Sequence, residues 1–67
     1  MKVVVNGDER TVEDETSVAE VVRGLGVGAE LGVAVAVNGE VVAKSMWEGT
    51  TLKEADRIEV LRAIGGG

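Results

Sequence analysis

Valine-rich runs with the character of β-strands occur in both halves of the chain, and an Asn-Gly pair interrupts each of them. Both residues tolerate the positive φ angles of a type I′ turn, so Asn6-Gly7 and Asn38-Gly39 each predict a β-hairpin. The four strands that these hairpins predict are Lys2–Val5, Arg10–Val12, Val33–Val37 and Glu40–Ala43. The seven residues from 26 to 32 contain three glycines and predict a loop before the second hairpin.

Between the hairpins the apolar spacing changes to that of a helix. The residues that share one helical face at i, i+3, i+4 and i+7 are Val18, Val21, Val22 and Leu25. Ser17 and Glu20 form an S-x-x-E capping box, which predicts the start of the helix. Gly24 or Gly26 supplies the left-handed residue that ends it. We therefore predict one amphipathic helix of about two turns, whose apolar stripe must be buried against a sheet.

The C-terminal third of the chain predicts a connection followed by a fifth strand. A short turn of helix is expected around Ser45–Glu48, and strand five is expected at Arg57–Ile64. Met46 and Trp47 are the bulky residues of the connection, and we expect them to close one end of the core; the alternative is an exposed partner contact. On strand five, one face is predicted to hold Ile58, Val60 and Ile64, and the other Glu59, Leu61 and Ala63.

The order of elements is hairpin, helix, hairpin, connection and strand, which is typical of α+β architecture. The last strand has no hairpin partner, but it can enter the sheet centrally by lying parallel to strand one. We therefore predict a ubiquitin-like β-grasp fold: a mixed sheet of four to five strands with one main helix on one face. Residues 1–64 are predicted to form this domain, and residues 65–67 a flexible glycine tail.

Composition excludes several classes of function. The 67 residues contain no Cys and no His, so disulfides, thiolate or imidazole metal sites and Cys–His or Ser–His catalytic pairs are excluded. The net charge of −5 and the single aromatic residue argue against nucleic-acid binding. The charge serves either solubility or steering toward a basic partner. Lacking a signal peptide or a membrane-spanning run, the chain is expected to be cytoplasmic, with no membrane partner.

The chain ends in the sequence RAIGGG, and its last three residues have no side-chain chemistry. An α-carboxylate is ionised at neutral pH and is a poor electrophile, so acyl transfer from Gly67 requires activation, for which ATP is suited. Glycine permits close backbone approach to a confined active site because it has no Cβ. The alternative is that the glycines are simply a disordered end.

The whole chain resembles the thiamine-biosynthesis sulfur carrier (ThiS) family of ubiquitin-like proteins. The matching stretches are the first strand leading into Asn6-Gly7, VAVAVNGEVV, K-S-x-W at Lys44–Trp47, LKEADRIEV at Leu52–Val60, and the Gly-Gly end. The chain departs from the family in three places. Ala55 stands where Gly is usual, Ala43 stands where Pro is often found, and the tail has three glycines where two suffice.

The resemblance implies a protein cosubstrate rather than an enzyme, with no permanently bound cofactor and no metal. A ubiquitin-activating-type (ThiF-like) adenylyltransferase would use ATP to adenylate Gly67, and a sulfur donor system would convert it to a thiocarboxylate. The sulfur would then pass to a (ThiG-like) thiazole synthase. Gly66 would be the close-approach residue, and Gly65 would extend the reach of the tail.

Three residues before the glycines are candidates for partner contact. Arg62 would meet an acidic rim or be a solvated strand residue, and Leu61 and Ile64 would form an apolar docking patch unless Ile64 ends the core. Other functions stay open: a sulfur carrier for molybdopterin, cysteine or another pathway, a ubiquitin-like protein modifier, and a pure binding domain. The short chain and the context of Trp47 favour thiamine.

Overall fold

Both predicted hairpins are present in the computed structural model, which describes residues 1–26 and 32–62. Asn6 and Asn38 have φ angles of 50° and 51°, and the glycines after them both have φ of 86°. These left-handed values are those that a type I′ turn requires. The paired strands are β1 (Lys2–Val5) with β2 (Asp8–Thr11), and β3 (Val33–Val37) with β4 (Glu40–Val42).

The fifth strand, β5 (Arg57–Arg62), joins the two hairpins into one mixed sheet of order β2-β1-β5-β3-β4. It runs parallel to β1, with Val4 opposite Arg57. It runs antiparallel to β3 over five residue pairs, from Val33 opposite Arg62 to Val37 opposite Ile58. With one helix between the hairpins, this is the predicted α+β β-grasp fold.

The helix α1 (Val18–Gly24) begins at the predicted capping box. The Ser17 hydroxyl accepts a hydrogen bond from the Glu20 amide at 3.2 Å, and the Ser17 amide donates to the Glu20 carboxylate at 3.2 Å. Together they satisfy two amide groups that the first turn leaves unpaired. Gly26, with φ of 78°, is the left-handed residue after the last turn, so the helix ends as predicted.

The core lies between α1 and the sheet and is built mainly from valine. Within the described ranges, ten apolar residues of this core are buried: Val3, Val5, Val18, Ala19, Val21, Val22, Val35, Trp47, Leu52 and Ile58. Trp47 closes one end of this core, as expected, and its indole Nε1 donates to the carbonyl of Val42 at 3.0 Å. The same expectation was wrong for Met46, which is 56% exposed, because the short 3₁₀ helix Lys44–Met46 turns it outward.

Some element boundaries differ from those that the sequence predicts. The second strand starts at Asp8 and ends at Thr11, because the two-residue turn places Asp8 directly opposite Val5 and extends the pairing into charged residues. The fourth strand ends one residue early, at Val42, and the 3₁₀ helix begins at Lys44 rather than Ser45. Residues 63 and 64 of the predicted last strand and most of the predicted glycine-rich loop lie outside the described residues.

Ala55, two residues before the last strand, adopts a backbone conformation that favours glycine. Its φ is 70°, and its amide donates to the carbonyl of Lys2 at 2.8 Å. A left-handed conformation costs an L-residue roughly 1–2 kcal/mol, because Cβ approaches the following carbonyl oxygen. The departure from the usual glycine of the family therefore introduces local strain into this domain.

We predict that Ala55→Gly raises the free energy of unfolding by about 0.5–1 kcal/mol, since relief of strain exceeds the greater unfolded-state entropy of glycine. Urea unfolding followed by the fluorescence of Trp47, the single tryptophan, measures the change. Ala43→Gly is the matched control, because Ala43 is also exposed but has an ordinary φ of −61°. That substitution should destabilise the domain. Equal effects of the two substitutions would contradict the assignment of strain.

Candidate functional site

The strand that leads to the glycine tail is the central strand of the sheet. Arg62, its last residue, lies opposite Val33 of the neighbouring strand β3. Ile64, Gly65, Gly66 and Gly67, which were predicted as the docking and reactive residues, lie outside the described residues. The structure therefore defines the base from which the tail starts: a strand that is paired with β1 at its beginning and with β3 up to its last residue.

The side chain of Asn6 continues the sheet where β1 ends. The amide of Val60 donates to Asn6 Oδ1 at 2.8 Å, and Asn6 Nδ2 donates to the carbonyl of Val60 at 3.4 Å. The backbone amide of Asn6 also donates to the carbonyl of Ile58 at 2.9 Å. The carboxamide thus replaces a peptide group of β1, and it holds β5 two residues before its end.

Asn38, in the second hairpin turn, holds the beginning of the same strand. Its Oδ1 accepts from the amide of Arg57 at 2.9 Å, and its Nδ2 donates to Asp56 Oδ1 at 2.9 Å. The other carboxylate oxygen of Asp56 accepts from the amide of Lys53 at 2.8 Å. Both hairpin turns therefore fix β5, one from each neighbouring hairpin.

The face of the sheet opposite α1 carries an exposed apolar patch next to the end of β5. Leu61 is 67% exposed and lies opposite Ala34, and Val41 is 80% exposed and lies opposite Ala36. Side chains directly opposite on paired strands share a face with Cβ atoms roughly 5 Å apart. We call Ala34, Ala36, Val41 and Leu61 the open-face patch.

Two of the predicted contact residues point to different faces of the sheet. Successive strand residues alternate, so Leu61 belongs to the open face and Arg62 to the face that carries α1. Arg62 is exposed and shares its face with half-buried Val33. Arg62 and Leu61 therefore do not form one flat contact surface, and only Leu61 lies in the patch.

Sequence analysis missed Val41 and the clamping role of the two asparagines. The available signal for Val41 was its position in the second hairpin, where it pairs with the small residue Ala36. For the asparagines, the signal was that both turns have Asn at a position where glycine also tolerates the backbone conformation. The amide side chain is therefore not required by the turn itself. Neither signal specifies a partner strand.

Within residues 1–26 and 32–62, no group of three or more His, Cys, Asp or Glu side chains is arranged to hold a metal ion. Over the same ranges, none of the helices has the length and apolar character needed to cross a membrane.

Comparisons with known proteins agree with this architecture. A model of the ThiS family matches residues 3–67. The crystal structure of the thiamine biosynthesis protein ThiS from Geobacter metallireducens is 36% identical, covers all of both chains and superposes with a TM-score of 0.81. A solution structure of a thiamine biosynthesis protein from the same organism gives a TM-score of 0.79 at 36% identity, over all of this chain and 88% of the other.

Among curated proteins, the chain is similar to part of two thiazole synthases. It is 37% identical to that of Paramagnetospirillum magneticum and 39% identical to that of Magnetococcus marinus, over 67 residues in both cases. These matches cover all of this chain but only 20% of each synthase. The chain therefore spans about a fifth of the length of the curated relatives it matches.

We predict that Asn6→Gly lowers the free energy of unfolding by about 1 kcal/mol, because glycine keeps the φ angle but loses the hydrogen bonds to Val60. Asn6→Ala should cost about 1 kcal/mol more, since alanine also resists the φ of 50°. Amide hydrogen exchange by NMR should show faster exchange of the Val60 amide in both variants. The amide of Glu59, which faces β3, serves as the internal control.

Unchanged exchange of the Val60 amide in Asn6→Gly would contradict the clamp. Equal acceleration at Val60 and Glu59 would also contradict it, because that pattern indicates loosening of the whole strand rather than loss of one local contact.

Proposed function

Because the chain belongs to the ThiS family, we propose that it is a sulfur carrier protein of thiamine biosynthesis. Its C-terminal carboxylate, at Gly67, is adenylated by a partner enzyme and converted to a thiocarboxylate, which donates sulfur to thiazole synthase. The observation that carries the proposal is the match of the family model through the final glycines. On this proposal the protein is a cosubstrate and not an enzyme.

The chemistry needs no side chain of the carrier. A carboxylate oxygen of Gly67 attacks the α-phosphorus of ATP, pyrophosphate leaves, and an acyl-adenylate forms. A donor sulfur at the oxidation level of sulfide then attacks the carbonyl carbon, and AMP leaves with the displaced oxygen. The 67 residues contain no Cys, so a side-chain thiolate or persulfide is excluded as the sulfur carrier within this chain.

The geometry of β5 supports this use of the tail. The five residues from 63 to 67 extend at most about 17 Å beyond Arg62 when fully extended. A tail of this reach can enter a partner's active site only if the partner also contacts the body nearby. Leu61 and Val41 provide an apolar centre for such a contact near the start of the tail. Charged Arg57 and Glu59 lie on the same face of the sheet. Such a surface has the composition of a transient protein interface.

The thiazole synthase relatives support the choice of downstream partner. In each of them, a segment similar to this entire chain is part of a polypeptide five times as long. A covalent link of this kind places carrier and synthase together at high effective concentration. We propose that the present chain makes the corresponding contact with a thiazole synthase, and the preceding contact with a ubiquitin-activating-type adenylyltransferase.

The first test is the intact mass of the protein after incubation with ATP, a sulfur donor and an adenylyltransferase that is active on its own carrier. We predict a gain equal to the exchange of one oxygen for sulfur, located in the C-terminal peptide. A chain that ends at Ile64 should show no gain. A chain shortened by one glycine still ends in Gly-Gly and should keep the gain, because Gly65 serves as a spacer. Absence of the gain in the full chain would contradict the proposal.

The second test concerns the open-face patch. We predict that Leu61→Glu raises the KM for the carrier in the adenylation reaction by tenfold or more, because a charge enters an apolar interface without a partner. Met46→Glu is the matched control, since Met46 is also an exposed apolar residue but lies outside the patch. Equal effects of the two substitutions would exclude the patch as the docking surface.

A further inference from the structure

A groove lies between the edge strand β2 and the flank of α1, on the helix side of the sheet. Its volume is about 290 Å³. The apolar part of its lining comes from Val5 of β1, from Val12 just after β2, and from Val21 and Leu25 of the helical segment. An apolar cavity of roughly 150 Å³ accommodates benzene, so this groove has room for one or two aliphatic side chains.

The strand beside the groove has an open hydrogen-bonding edge. Met1 and Val12 exchange two backbone hydrogen bonds, at 2.7 and 2.8 Å. Because hydrogen-bonded and non-hydrogen-bonded pairs alternate in an antiparallel ladder, Arg10 bonds toward β1, and Glu9 and Thr11 direct their amide and carbonyl groups outward. All four residues of β2 are exposed. Such an edge is a template for an added strand.

The charge of the chain is concentrated around this groove. Residues 8–20 hold six acidic side chains and one arginine, a net charge of −5, which equals that of the whole chain. The remaining 54 residues hold six acidic and six basic side chains and are neutral. Glu13 and Glu20 line the groove together with Arg10. Glu9 lies on β2 and faces the open side of the sheet, where its carboxylate is 3.9 Å from Lys2 Nζ. A partner with complementary charge is therefore basic.

From these three features we infer that the groove docks an extended segment of a partner protein, in which aliphatic residues alternate with Lys or Arg. The segment adds a strand to β2. Its residue opposite Arg10 points to the helix side and places an aliphatic side chain in the groove. The residues on either side of it point to the open face, near Glu9.

This inference does not rest on the chemistry of the glycine tail. The groove lies at the outer edge of the sheet on the helix side, whereas the open-face patch lies on the opposite face. Strand β1 lies between the edge strand β2 and β5 in the order of the sheet. A partner that holds the tail and the patch therefore leaves the groove accessible to a second protein.

The test uses a blocked seven-residue peptide of alternating Lys and Ile, with the corresponding Glu and Ile peptide as control. Titration of the isotopically labelled protein by NMR should shift the amides of Glu9 and Thr11 and those of residues 21–25 with the basic peptide. The acidic peptide should not bind. Shifts confined to the open face, or equal binding of both peptides, would overturn the inference.

Two further forms of the basic peptide test strand addition on the wild-type protein. One is N-methylated at every Lys and the other at every Ile, so that each lacks the amide donors of one edge. One of the two should bind at least tenfold more weakly than the other. Loss of affinity in the peptide methylated at Lys indicates an antiparallel added strand. Loss of affinity in the peptide methylated at Ile indicates a parallel added strand. Equal affinities, high or low, would contradict strand addition.

The groove itself is tested by Gly24→Leu. Gly24 lines the groove, and a Cβ added there meets no heavy atom within 4 Å, so the backbone at this position accommodates a larger residue in the groove lining. We expect at least tenfold weaker binding of the basic peptide. The matched control, Gly24→Ala, adds only a methyl group and should retain most of the affinity. Unchanged binding by Gly24→Leu would show that the peptide does not occupy the groove and that the region is only a non-specific acidic surface.

Discussion

The fold depends on the pairing of the last strand between the two hairpins. Without β5, the sheet separates into β1 with β2 and β3 with β4, because β5 is the connection between them in the strand order. Ile58 of this strand is 1% exposed and belongs to the core formed with the helix. A domain of this size has little apolar surface to bury, so the loss of one central strand would remove most of its stabilising contacts.

The same pairing fixes the starting direction of the tail. In this chain the strand that completes the core also leads directly to the terminal glycines, and Asn6 and Asn38 hold it at two points. The position of Arg62, the last described residue before the tail, is thereby coupled to the integrity of the sheet. Because the sheet has one face covered by α1 and one open, the fold also separates the open-face patch from the groove at β2. A small carrier can in this way present different surfaces to successive partners.

Sequence analysis predicted the elements whose causes are local. Asn6-Gly7 requires only turn chemistry, and the Ser17–Glu20 capping box requires only one helical turn. The central position of β5 followed from the order of elements, since a final strand without a hairpin partner has few places to pair.

Features that depend on contacts distant in sequence could not be predicted in the same way. The hydrogen bonds of Asn6 to Val60 join residues 54 positions apart. Met46 and Trp47 have similar apolar character, and only the path of the 3₁₀ helix decides that one is exposed and the other buried. Pairing of β4 with β3 decides that Val41 lies opposite Ala36. The glycines themselves were assigned by chemistry and resemblance, and their role stays a proposal.

We propose that this chain delivers sulfur from its C-terminus to the thiazole of thiamine. The most direct measurement starts from the purified thiocarboxylate form carrying a radioactive sulfur label and follows the label during incubation with thiazole synthase and its small-molecule substrates. The account predicts that the label appears in the thiazole product and that the carrier returns to the carboxylate form. Retention of the label on the carrier, or attachment of the chain to lysine side chains of other proteins, would contradict it.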